Sequence, residues 1–366
     1  MNEKVMESII LDNDFIKNIV DNRNYNQDIV NYHMAYYMEQ LKLDKPFKGY
    51  KSLQNTSFRI DECNKFWLID KYEKQKIKDF KKTNLCRSKF CSNCKKVKQA
   101  TRMAKFIPLL EPYSDKLYHL TLTVPNCNGK DLKKTIKKMY KKFKHLINIV
   151  NGHDKILGVD FSKYNYQGAL RSFEITFKGD NYHPHFHIAL VGDFEEEKHI
   201  INKFSYSYGE LKRHFSHFEI IIQKIWYLLM NDKRLTKENI EELDEGYSCS
   251  LDKFAEGHYA ELFKYLTKDI DEDKNPLKYS NFKVLYDSLL NLRQIQGYGC
   301  LYNLSDNTDE ELEKIEEIYI ELVKDLKEKE VPVEVMETPE ELLKDTEYTI
   351  ISRKRIYSYI KSINLG

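Results

Sequence analysis

No run of about eighteen apolar residues occurs in this 366-residue chain, so no membrane span is expected. Residues 1–21 mix charged and apolar side chains and do not read as a signal peptide. Cysteine is sparse, and four of the seven crowd between Cys63 and Cys94. That crowding excludes a secreted disulfide framework and fits metal-bound thiolates in a reducing cytosol. No internal repeat is evident. Net charge is nearly absent too, at +2 from 59 basic and 57 acidic residues. The balance is an average over segregated segments. Residues 65–105 and 130–144 are strongly basic, and 306–345 are acidic. A basic front half suits a phosphate backbone, although a lysine helix taken singly is commonly just a solvated face.

What is present begins with His183-Pro184-His185-Phe186-His187-Ile188-Ala189-Leu190. Alternate side chains of a strand point to opposite faces. His183, His185 and His187 then share one face, and Phe186, Ile188 and Leu190 anchor the other. Residues 171–177 alternate in the same way, with Phe173, Ile175 and Phe177 apolar and Ser172, Glu174 and Thr176 polar. Lys178-Gly179-Asp180-Asn181 reads as a tight hairpin turn. If Gly179-Asp180 is the loop, Glu174 lies opposite His185 and diagonal to His187, within side-chain reach. One hairpin would thus carry a two-histidine, one-carboxylate site for a catalytic divalent ion. His183 abuts the turn and precedes proline, so it ranks below the other two. The alternative is a histidine-rich strand without metal.

Cys86, Cys91 and Cys94 bring three thiolates into a short loop, and Cys63 lies 23 residues upstream as a candidate fourth. Four thiolates suit tetrahedral Zn2+ in a closed structural site. Arg87, Lys89, Lys95 and Lys98 flank the cluster as candidate phosphate contacts. Among 26 tyrosines, Tyr265 is singled out by its helix, expected over 257–270. Glu261, Tyr265 and Lys268 fall at i, i+4 and i+7 on one face, while Leu262, Leu266 and Ile270 form a docking stripe. Tyr259 is a rival without the lysine three residues on. Helices are further expected at 130–150, with Leu132, Ile136, Met139 and Phe143 apolar, and at 195–203 and 218–231. A charged helix is expected over 309–330 and a last helix ending near Ser362. Strands interrupted by helices predict an α+β fold with helices over one sheet face.

His185-Phe186-His187 resembles the histidine–hydrophobic–histidine motif of HUH endonucleases, and Phe173 to His187 resembles rolling-circle plasmid replication initiators of Gram-positive bacteria. Leu120-Thr121-Leu122-Thr123-Val124-Pro125-Asn126 resembles the family's first strand motif. Residues 261–268 resemble its tyrosine motif, and Arg293-Gln294-Ile295-Gln296-Gly297-Tyr298-Gly299-Cys300-Leu301 a segment near its C-terminal end. The resemblance covers roughly residues 58–302, in the family's order. It departs from the family pattern at Lys95-Lys96.

The resemblance implies an antiparallel-sheet HUH endonuclease domain with a ferredoxin- or RRM-like core, an inserted or preceding zinc module and a helical C-terminal region. The expected division is 1–57 helical, 58–105 zinc-binding, 106–302 catalytic and 303–366 acidic and helical. It further implies cytoplasmic, metal-dependent nicking of single-stranded origin DNA. Mg2+ or Mn2+ would sit on Glu174, His185 and His187, with Tyr265 as nucleophile. Lys268 and Lys264 would neutralise phosphate charge, and Glu261 would activate water at termination. Cys63 as fourth zinc ligand is supported by the same resemblance. Plasmid origin DNA, a host helicase and a polymerase are the expected partners. The acidic 309–330 helix either pairs two copies into a homodimer or is simply solvated. Two alternatives stay open: an HUH-type single-strand DNA transposase and a non-catalytic zinc-dependent DNA-binding protein. A hydrolase of small phosphoesters is a third.

Overall fold

The computed structural model describes residues 25–44, 56–61, 63, 66–69, 72–73, 76–77, 80–83, 85–199, 207–208, 211–212, 214–244, 246–264, 277–304 and 349–352. The chain separates into two compact units, one of residues 1–108 with 308–366 and one of residues 109–307.

The larger unit is α+β and antiparallel. The longer strands of its main sheet are β1 (Leu117–Thr123), β2 (Gly168–Lys178), β3 (Asn181–Val191), β4 (Cys249–Lys253) and β5 (Gln296–Gly299). They lie in the order β4-β1-β3-β2-β5, with Cys127–Asn128 paired to the end of β3. The eleven-residue strands β2 and β3 form the central hairpin. Gly179 closes its loop at φ +57, a conformation open to glycine at little cost. Lys178 pairs with Asn181, and Glu174 pairs with His185.

Among the described residues, the α-helices that accompany the sheet are α1 (Gly129–Val150), α2 (His217–Met230), α3 (Lys237–Glu242), α4 (Glu256–Leu262) and α5 (Tyr279–Ser288). Leu132, Ile136, Met139, Phe143 and Leu146 recur at helical spacing along α1 and are all buried. Each contributes about 1.5–3 kcal/mol by leaving water. They meet the apolar side of the hairpin, where the Phe143 and Phe186 rings lie 5.2 Å apart. Helix α2 covers the same side through Trp226, whose indole N–H donates to the Thr123 carbonyl at 2.7 Å. A capping box starts α2: the Ser216 hydroxyl accepts from the Glu219 amide while the Glu219 carboxylate accepts from the Ser216 amide. Buried Glu219 also accepts from the Leu251 amide, which ties α2 to β4.

Three expectations about local structure need correcting. Helix α4 lies on the polar side of the sheet, so helices flank both faces rather than one. Residues 195–199 are not helical. Glu196 is used there to accept from the Phe218 amide and the Tyr164 hydroxyl, fixing the entry to α2. In the other unit, Thr349–Ser352 is a strand paired antiparallel with Phe66–Ile69, where a C-terminal helix was expected. Its Thr-Ile-Ile run is β-branched and fits a pleated sheet better than a helix. The 309–330 helix and the remainder of the last expected helix fall outside the described residues. Among the described residues, no helix is long and apolar enough to cross a membrane.

Candidate metal centres

Two groups of converging ligand atoms occur among the described residues, one in each unit. The first is sulfur only. Cys63 follows the helix Thr56–Asp61, Cys86 and Cys91 lie in the loop that leads into the helix Ser92–Leu110, and Cys94 sits in that helix's first turn. All four thiols are buried, and their sulfurs lie within 4.8 Å of one another. The Cys63–Cys94 and Cys86–Cys94 sulfur separations are 3.5 and 3.6 Å. A tetrahedral Zn–S site with ~2.3 Å bonds requires sulfur edges of about 3.8 Å, close to those values. Backbone amides of Cys86, Ser88 and Cys94 donate to the sulfurs of Cys63, Cys86 and Cys91. Hydrogen bonds from the other three thiols hold the Cys94 pKa well below the usual thiol range. Burial, with hydrogen bonds among the thiols, pushes Cys91 well up. Three thiols thus gather round Cys94, the one whose thiolate they favour, an arrangement that a bound cation would complete. Of the flanking bases, Lys95 is buried and does not offer its ammonium at the surface. It was expected to be exposed, but helix geometry turns it inward beside Cys94.

The second group is Glu174 on β2 with His185 and His187 on β3. Glu174 Oε2 lies 3.3 Å from His185 Nε2 and 3.2 Å from His187 Nε2. Each imidazole is anchored through its other nitrogen. His185 Nδ1 meets the His183 carbonyl at 3.1 Å, and His187 Nδ1 meets His119 Nε2 at 3.2 Å. The His183 carbonyl can only accept, so His185 donates to it through Nδ1; His187 can donate likewise to His119, and both Nε2 atoms face Glu174. Outer anchoring of this kind is the habit of metal-bound histidines. Burial raises the Glu174 pKa, but hydrogen bonds and charge from His185 and His187 outweigh it and hold the carboxyl below its usual range. A divalent ion fits these donors, with positions left for an oxygen ligand.

His119 is the residue that sequence reasoning left out of the site. It projects from β1 and stacks on His187 with centroids 5.3 Å apart, and on His258 of α4 at 4.5 Å. Burial, then the neighbouring His187 and His258, depress its pKa to about 3, so it is neutral and able to accept. Alternation in 118–124 places His119 on the face shared by Thr121 and Thr123, opposite Leu120 and Leu122. The β1–β3 register was not countable from sequence, because residues 124–180 intervene. His183 stands outside the cluster, with its Nδ1 2.6 Å from Asn126 Oδ1.

Helix α4 crosses the histidine face. Glu261 lies in its last turn and pairs with Lys264. Leu262 and Phe263 are fully buried. Described helix ends at Leu262, and Tyr265 and Lys268 lie outside the described residues. The backbone is held up to that point. Gln294 donates from Nε2 to the Lys264 carbonyl at 2.8 Å and to the Phe173 carbonyl at 3.4 Å. It therefore bridges the residue before Tyr265 to the residue before Glu174. Gly297, three residues on, has no room for a Cβ, which would fall 1.7 Å from the Leu301 carbonyl oxygen.

The profile of the family described as Replication protein matches residues 77–338. "Protein rep" of Streptococcus pneumoniae serotype 2 (strain D39 / NCTC 7466) is 26% identical over 272 residues, covering 72% of this chain and 74% of the relative. "Protein rep" of Bacillus amyloliquefaciens is 25% identical over 306 residues, covering 78% and 83%. No solved structure matches the chain.

Proposed function

This chain belongs to the Rep family of plasmid replication proteins, and on that footing we propose that it initiates rolling-circle replication as an HUH nickase. It would cut one strand at the double-strand origin by tyrosine transesterification. The observation that carries this reading is the convergence of Glu174 Oε2, His185 Nε2 and His187 Nε2 on a rigid hairpin, with both Nδ1 atoms tied back.

Glu174, His185 and His187 would hold Mg2+ or Mn2+, which when bound polarises the scissile phosphate. The phenol oxygen of Tyr265 attacks phosphorus in line. The bond from phosphorus to the 3′ oxygen breaks, and the phenol's proton is made good on that oxygen as a 3′-hydroxyl primer. The 5′ phosphate stays on Tyr265 as an ester, which conserves the bond for later rejoining. Lys264 and Lys268 offset charge developing on phosphate. Glu261 takes a proton from water at termination, so that hydrolysis replaces a second attack. The Cys63, Cys86, Cys91 and Cys94 cluster would hold Zn2+ as a structural site, and Arg87, Lys89 and Lys98 would approach phosphates. Origin DNA, with a single-stranded nick site and flanking duplex, is the substrate. Host helicase and polymerase would act on the product.

The test is incubation of wild type and Tyr265→Phe with labelled origin oligonucleotide and Mn2+, followed by a denaturing protein gel. A DNA-shifted, EDTA-sensitive band in wild type alone is the expected result. Nicking without an adduct would replace this reading with hydrolysis. DNA binding without nicking would leave a zinc-dependent binding protein.

A further inference from the structure

Helix α1 carries eight lysines and a single acid, Asp131. They divide into two sets. Lys133 pairs with Asp287, and Lys138 and Lys142 both pair with Asp232. Lys130, Lys134, Lys137, Lys141 and Lys144 are exposed and make no ion pair among the described residues. Their spacing is four, three, four and three, so they form one stripe. The stripe lies two residues out of step with buried Leu132, Ile136, Met139, Phe143 and Leu146, hence on the opposite side of the helix. It points away from the sheet, and so away from the Glu174–His185–His187 cluster on the sheet's other face.

At ~1.5 Å rise per residue the stripe is about 21 Å long. Five like charges at about 5 Å intervals repel one another, and no ion pair among this unit's described residues engages them. The three lysines beside them share two acids, Asp287 and Asp232. A duplex presents one negative charge per ~1.7 Å of axis, roughly a dozen phosphates over the same length. A membrane surface is the poorer match, because a basic amphipathic helix binds lipid through its apolar face, and that face is buried here.

We propose that this five-lysine stripe of α1 is a docking surface for duplex DNA backbone, on the side of the domain opposite the nick site. It deepens the reading of the chain as an initiator acting at an origin, and gives the flanking duplex a separate seat from the cleaved strand. The stripe reads no bases. Its contribution is affinity and orientation, with a strong salt dependence.

The test compares two triple variants of the full chain with equal loss of charge from one helix. One is Lys134→Gln, Lys137→Gln, Lys141→Gln. The other is Lys133→Gln, Lys138→Gln, Lys142→Gln. A labelled duplex of arbitrary sequence is titrated between about 50 and 200 mM salt. Each phosphate contact contributes ~0.9 to the slope of log K against log salt, so the stripe variant should lose roughly 2–3 from it. The paired variant should lose less than about 1. Equal losses, or an unchanged slope in the stripe variant, would overturn the assignment. So would loss of binding to anionic phospholipid vesicles with duplex binding intact. Adduct formation with a short single-stranded oligonucleotide is measured in parallel, and the stripe variant should match wild type there. That arm reads the nickase assignment separately, since its failure in wild type would leave the duplex result standing.

Discussion

The two ligand clusters are both buried, yet they are built for different ends. The sulfur cluster has four donors, each met by neighbouring thiols and backbone amides, and no side open to a further ligand is needed. The Glu174, His185 and His187 cluster has three donors, two of them aimed by outer hydrogen bonds, and a helix laid across its face. Four soft donors from separated stretches of chain suit an ion that holds a unit together. Three harder donors on one rigid hairpin suit an ion whose remaining positions take substrate. The same chain thus offers one ligand set suited to replacing core and one suited to displaying chemistry.

The largest effect expected from that contrast is at the cysteines. A structural zinc contributes on the order of 10 kcal/mol to folding, so Cys91→Ser should lose zinc and unfold the unit that contains it. Zinc content and limited proteolysis would show this, and unchanged protease resistance would break the comparison. His187→Ala should behave oppositely. Zinc and fold are retained while nicking falls by at least about 100-fold, roughly 3 kcal/mol of barrier. Loss of zinc in that variant would mean the two sites are not independent.

Smaller effects sharpen the open site. His119→Phe keeps a stacking ring but removes the acceptor for His187, and should weaken Mn2+ affinity by about 10-fold. Calorimetric titration with Mn2+ checks this. Gln294→Glu removes the donor that ties the Lys264 and Phe173 carbonyls. It should slow adduct formation by roughly 10-fold with Mn2+ affinity unchanged, since a positioning residue alters geometry rather than ligation. A parallel fall in Mn2+ affinity would assign Gln294 to sheet integrity instead.

A separate effect concerns pH in metal-free protein. His119 titrates at about 3 when folded against an ordinary 6.5, chiefly through burial. Between those values the unfolded chain binds a proton that the folded chain does not. Its contribution to stability is therefore intact above pH 6.5 and falls as pH drops toward 3. Thermal melts across that window should show a steeper slope for wild type than for His119→Phe. Equal slopes would show that His119 is not the group responsible.

Much of this was readable before any coordinates. A two-residue turn and a period of two fix which residues oppose one another in a hairpin, so Glu174 could be placed against His185 by counting. The apolar stripe of α1 followed from a period of 3.6. The strand at 349–352 was misread as helix because its partner, 66–69, is nearly three hundred residues away. Lys95 looked like a surface base, since composition records charge and not the direction in which a helix turns it.

Local periodicity and short-range covalent geometry determined the hairpin, its three ligands and the amphipathic helix. These depend on residues a few positions apart, where chain connectivity leaves little choice. Only the tertiary structure decided that His119 would orient His187, that Gln294 would tether Lys264 beside Phe173, and which lysines of α1 would find acids. Those contacts join residues that packing brings together across long stretches of chain, and no spacing rule encodes them.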